Sequence, residues 1–124
     1  MSSETRDAGL KTRRQVMGDQ FVDTALAGAN FYTEPLQDFI NEHAWGSVWQ
    51  RGTLDLKTRS LVTLAMLTAL GRTNELKGHL RGAANNGATT EEIREVLLHA
   101  AVYCGVPAAA EALKTAAEVL PVAK

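Results

Sequence analysis

Glu75 and His79 stand four residues apart in a stretch whose apolar residues recur every three to four positions. On a helix the two side chains share one face. A histidine with a carboxylate one turn away can serve as a general acid, the carboxylate orienting the imidazole. The same spacing also describes an ordinary surface pair, worth about 0.3 kcal/mol. Glu95 and His99 repeat it one segment later, where a surface pair is the plainer reading. His43 falls on an apolar helix face, the usual place of a core histidine. The three histidines form no HExxH or comparable ligand cluster, so no metal site is expected.

Trp45 and Trp49 are the two tryptophans, and Arg51 and Arg59 come soon after them in the chain. A rigid apolar wall beside guanidinium forks suits a small organic carboxylate. Core tryptophans with solvated arginines fit the same residues. Tyr103 stands before Cys104-Gly105-Val106-Pro107, at an expected helix end where its hydroxyl reaches either a ligand or a backbone carbonyl.

The elements that must hold these groups read as helices throughout. Thr89 and Glu92 form a capping-box signature for a helix carrying Ile93, Val96, Leu97, Ala100, Ala101 and Cys104 inward, with Gly105 as its stop. Pro107 suits the first turn of a last helix with a stripe of Ala109, Ala110, Leu113, Ala116, Ala117 and Leu120. Asp55 caps a helix running to Leu70, apolar nearly all round in its second half and so expected to be the fully packed centre. Another helix spans about Thr73 to Asn86, with Leu76, Leu80, Ala83 and Ala84 inward. A stripe of Leu36, Phe39, Ile40, His43, Ala44 and Val48 begins at Pro35, and a less regular helix covers roughly Leu10 to Asn30. No segment alternates with period two. The expectation is an all-α single domain over 1–124, of about six helices, with 1–9 as a polar tail.

Composition narrows the function. The 124 residues are 45% hydrophobic and 22% charged, with net charge −1, which argues against a nucleic-acid surface or a polybasic membrane anchor. The longest nearly apolar run, Leu61 to Leu70, is about half of the ~20 residues a bilayer requires, and the N-terminal residues lack an apolar signal core. A cytoplasmic protein is expected. The lone cysteine, Cys104, excludes an internal disulfide, a CxxC pair and a thiolate zinc cluster.

The strings Ala44-Trp45-Gly46-Ser47-Val48-Trp49, Arg59-Ser60-Leu61, Leu70-Gly71-Arg72, Glu75-Leu76-Lys77-Gly78-His79, Asn86-Gly87 and Tyr103-Cys104-Gly105-Val106-Pro107-Ala108-Ala109 resemble the 4-carboxymuconolactone decarboxylase family over about residues 10 to 120. The resemblance implies an all-helical, alkyl hydroperoxidase D-like subunit in a ring-shaped homo-oligomer, a hexamer. It also implies decarboxylation of 4-carboxymuconolactone to β-ketoadipate enol-lactone, in protocatechuate catabolism, without a cofactor. His79 and Glu75 then become the acid and its orienting carboxylate, while Arg51, Arg59, Trp45, Trp49 and Tyr103 bind substrate. The related peroxidases use a CxxC pair where this chain has Arg72-Thr73-Asn74-Glu75, and without two thiols no disulfide cycle runs. Cys104 replaces an expected alanine and is assigned no chemistry, as a small buried group. Two alternatives stay open: a related lactone or small organic acid as substrate for a decarboxylase or isomerase, and a non-catalytic helical assembly module with Glu75 and His79 exposed away from any pocket.

Overall fold

The computed structural model describes residues 3–122, and every regular element among them is helical. Seven α-helices run in order: α1 (Ser3–Met17), α2 (Asp19–Ala27), α3 (Glu34–Phe39), α4 (Leu56–Leu70), α5 (Thr73–Asn85), α6 (Thr90–Cys104) and α7 (Val106–Val119). A π-helical turn, Ile40–Trp45, continues α3, and a single 3-10 turn, Val48–Gln50, comes next. The chain forms two compact units, Met1–Asp55 and Leu56–Lys124.

In the first unit the expected helix over 10–30 is two helices. Of the stretch read as a polar tail, residues 1 and 2 lie outside the described residues, and 3–9 form the opening turns of α1. The break falls at Gly18, whose φ of 90° lies where side-chain-bearing residues are strained. Arg14 pins the restart from across the break, reaching Asp19 at 3.2 Å and Asp23 at 2.8 Å. α1 then packs backbone to backbone on the π-helical turn: a Cβ on Gly9 would sit 1.9 Å from the Asn41 carbonyl oxygen. Beside that contact the buried Arg13 guanidinium donates to Gln37 Oε1 and Asn41 Oδ1, both at 2.9 Å. Its partners are neutral amides, so burial lowers its pKa from the usual arginine value.

The π turn also explains why the stripe expected from Leu36 to Val48 is not the buried one. Leu36, Phe39 and Val48 are at least half exposed, whereas Asn41, Glu42 and Trp45 are 2–5% exposed. A wider turn carries more residues per revolution and rotates the succeeding residues about the axis. His43, expected in the core, is exposed and lies against Phe39, ring centroids 4.8 Å apart.

The second unit is organised around Leu64, Leu76, Leu80, Ala83, Ile93, Leu97 and Ala112, drawn from α4, α5, α6 and α7. α6 starts on the expected capping box: Thr89 Oγ1 accepts from the Glu92 backbone N–H at 3.0 Å, and Glu92 Oε1 accepts from the Thr89 N–H at 3.0 Å. The other Glu92 oxygen takes Lys57 Nζ at 3.0 Å, tying α4 to α6. Asn86 ties α5 to α4 in the same way, donating to Ser60 Oγ at 2.9 Å and the Leu56 carbonyl at 3.2 Å.

Three inward assignments shift. α4 buries one stripe, Ser60, Leu64 and Thr68, while Val62, Met66 and Leu70 are 40–69% exposed, so it is not packed all round. Ala84 is exposed, and α7 turns Ala112 and Thr115 inward where Ala110 and Ala117 were expected. Alanine blurs such a stripe, because its small apolar surface tolerates either face. No helix is long and apolar enough to cross a membrane among the described residues.

Candidate active site

α5 carries Glu75 in its first turn and His79 one turn later. Because Leu76, Leu80 and Ala83 commit one face of that helix to the core, its carboxylate and imidazole fall at the border of the buried stripe. Glu75 is exposed and His79 is half-buried, with its Nδ1 shielded from solvent. On α4, Arg59 precedes the buried Ser60, its Nε shielded and its carbonyl accepting from Thr63 Oγ1 at 2.8 Å.

Tyr103 sits at the far end of α6, 76% exposed. Its ring lies against that of His99, centroids 5.0 Å apart and tilted 37°. Glu95, His99 and Tyr103 succeed one another at intervals of four and make one continuous strip. This strip, with Val96, Ala100 and Cys104, faces Ala65 of α4 across a cavity of about 570 Å³. That volume lies in the range of small-molecule sites, as does the character of the wall: small apolar side chains with a few polar groups. Neither Glu75 nor His79 lines it.

The structure thus brings Tyr103 together with the second Glu/His pair, the one whose plainer reading was a surface pair. The signal was present in the sequence as the extension of 95 and 99 to Tyr103, where the Glu75/His79 pair runs on to Ala83. Cys104 is also corrected: expected inward, it is exposed at the cavity wall, because α6 ends there at Gly105, φ 101°.

In the first unit, Trp45 is 5% exposed and Trp49 lies beside it, ring centroids 4.4 Å apart and tilted 30°. Gln50 holds the turn that carries them, its Nε2 donating to the Trp45 carbonyl at 2.9 Å and to Thr12 Oγ1 at 2.8 Å. Arg51 comes next, exposed, in extended backbone. Trp45 is therefore first a packing residue of its unit. Sequence reasoning missed Arg13 and Glu42, both 5% exposed. Glu42 Oε2 is buried without a hydrogen-bond partner, and nothing in the composition of the stripe announces a π turn that carries a carboxylate inward. Among the described residues, no group of three or more His, Cys, Asp or Glu is placed to hold a metal ion.

Comparison with known proteins sets this geometry in context. The chain is 51% identical over 107 residues to a nitrosuccinic acid decarboxylase of Metarhizium robertsii, covering 86% of this chain and 75% of the relative. It is 45% identical over 120 residues to a 4-carboxymuconolactone decarboxylase of Acinetobacter baylyi, covering 96% and 90%. It is also 36% identical over 77 residues to an uncharacterized 15.0 kDa protein of Paracoccus denitrificans, covering 60% and 58%. Residues 34–118 match the family model described as carboxymuconolactone decarboxylase, a span that includes the π turn, both Glu/His pairs and the cavity strip. The all-helical architecture and the placement of these motifs agree with that match, and the chain belongs to the carboxymuconolactone decarboxylase family.

Proposed function

We propose that the protein decarboxylates 4-carboxymuconolactone to β-ketoadipate enol-lactone without a cofactor. The observation that carries this reading is the 45% identity to a 4-carboxymuconolactone decarboxylase over nearly the full length of both chains. In this substrate the departing carboxylate stands at the far end of an unsaturated lactone. As its bond to the ring breaks, the electron pair moves through the carbon–carbon double bond into the lactone carbonyl. The substrate is its own electron sink, so the protein needs to supply only a donor to the lactone oxygen and a proton for the ring carbon beside the carbonyl. One well-placed donor at such an oxygen lowers the barrier by about 3 kcal/mol.

For the proton the second unit offers two imidazoles, His79 beside Glu75 and His99 beside Glu95. Arg59 is the proposed grip for the acetate arm that stays on the product, since an arginine clamped on the leaving carboxylate would stabilise the ground state and slow its loss. A separate proposal gives Arg51, with Trp45 and Trp49, the role of an apolar wall with a guanidinium at its edge. For assembly, the proposal is a homo-oligomeric ring, a hexamer. Its support is the apolar surface that the second unit leaves uncovered, with Leu98, Val102 and Val106 54–76% exposed.

A second reading has its own support. The 51% identity to a nitrosuccinic acid decarboxylase points to a nitro acid as substrate, where the nitro group replaces the lactone as the sink for the same electron pair. Purified protein supplied with each acid in turn, with CO2 release recorded, separates the two: turnover of the lactone at least tenfold faster in kcat/KM supports the first reading, and the reverse ratio supports the second. Release from neither refutes both.

A further inference from the structure

The geometry points to the cavity between α4 and α6 as the chamber in which the carboxylate substrate reacts, and to His99 rather than His79 as the acid that delivers the proton. This inference rests on the decarboxylase reading and names the site and the acid for it.

A general acid must stand within hydrogen-bond reach of the atom it protonates, so position is the first criterion and basicity the second. His99 lines a cavity of about 570 Å³ with its ring laid against that of Tyr103. His79 does not line it, and its Nδ1 is turned away from solvent. Ala65 lines the cavity from α4, and Val96 and Ala100 line it beside His99 on α6; their short side chains leave room for a five-membered ring and keep that wall apolar. Among the lining residues, His99 is the one able to carry positive charge, which suits the lactone end of the substrate, where charge accumulates as CO2 leaves. Glu95, one turn earlier on the same strip, repels the carboxylates and thereby sets which end of the molecule faces the imidazole. Tyr103 places a hydroxyl one turn further on, a donor for the lactone oxygen.

The bond between the ring carbon and the leaving carboxylate breaks, CO2 departs, and the electron pair becomes a dienolate with its charge on the lactone oxygen. The carbon beside the lactone carbonyl then takes the proton of the His99 imidazolium. The imidazole is left neutral and regains a proton from water at the cavity mouth.

The test uses the full chain and whichever of the two acids it turns over. His99→Ala removes an exposed side chain, so the variant keeps its helical circular dichroism while kcat falls about 100-fold, the usual scale for an acid–base group. Added imidazole enters the space vacated and restores at least a tenth of the lost rate, a rescue that a purely structural role would not show. Ala65→Leu narrows the chamber from the opposite wall and raises KM at least tenfold. The inference is overturned if His99→Ala keeps more than a third of wild-type kcat, or if imidazole rescues His79→Ala and not His99→Ala, or if Ala65→Leu leaves KM unchanged. In each of those outcomes the wild type still releases CO2 and the decarboxylase reading stands. Failure of the wild type on both acids removes the reading and the chamber together.

Discussion

Gly9→Ala tests how the first unit is held together, and its sign is opposite to what helix propensity alone gives. At an unconstrained position inside a helix, replacing glycine by alanine stabilises by about 1 kcal/mol. Here the added Cβ would lie 1.9 Å from the Asn41 carbonyl oxygen and 2.6 Å from the Gly46 backbone nitrogen. Both obstacles are main chain, so no side chain can swing aside, and α1 must retreat from the π turn by more than about 1 Å to reach an ordinary contact of roughly 3.5 Å. That retreat stretches the two 2.9 Å bonds from Arg13 to Gln37 and Asn41. Bonds from a charged donor contribute about 1.5–3 kcal/mol each, and overpacking itself costs about 1–3 kcal/mol. Against a propensity gain of about 1 kcal/mol, the net loss is about 3 kcal/mol, or a fall in Tm of about 10 °C for a chain this size. Urea unfolding read through tryptophan emission is the direct assay, because Trp45 and Trp49 both belong to this unit. A variant as stable as wild type, with unchanged m-value, would falsify the backbone-to-backbone contact as the organising feature of the unit.

Other perturbations probe the second unit and the site. Leu80→Ala empties a fully buried position and should cost about 3 kcal/mol in urea unfolding. Thr89→Ala removes the N-cap of α6 and should cost about 1 kcal/mol. The Glu92 carboxyl is held below its ordinary value of 4.5, first by the Thr89 backbone N–H and then by Lys57. A carboxylate with a lowered folded-state pKa stabilises fully above its unfolded value, and that stabilisation is lost as pH falls from about 4.5 downward through the folded value. Glu92→Gln should therefore flatten the acid limb of a Tm-versus-pH curve, and an unchanged limb would show that the cap carries no linkage. Arg59→Ala should raise KM with little change in kcat; the opposite split would contradict its role as a grip on the retained arm. Incubation with a chelator should leave CO2 release unchanged, because the substrate supplies the electron sink.

Much of this was legible in the residues, for identifiable reasons. Gly71, Gly87 and Gly105 end their helices with positive φ, and the Thr89–Glu92 box starts α6 as its sequence announces. Such signals act over three or four residues and need no tertiary partner. The family was legible because its strings lie close together along the chain. What stayed hidden depends on long-range packing. The face α4 buries is decided by α5 and α6, so a helix apolar nearly all round gave no clue that Met66 and Leu70 would be uncovered. The break at Gly18 was readable only as one glycine among ten. The Glu95/His99 pair looked like Glu75/His79 on spacing alone, and only the position of α4 opposite α6 shows which of them lines the cavity of about 570 Å³.

The π-helical turn at Ile40–Trp45 makes this short stretch unusually sensitive to chain length. Each residue of an α-helix advances the chain about 100° around the axis. Deleting one residue from this turn would let it relax into ordinary α-helix and swing Trp45, and the residues that follow it in the same unit, by roughly that angle. Trp45, now 5% exposed, would be carried away from its buried place. An indel of one, harmless in most surface loops, would here take a tryptophan out of the interior, so gene variants differing by a codon in this window should differ in tertiary packing while keeping the same helical content.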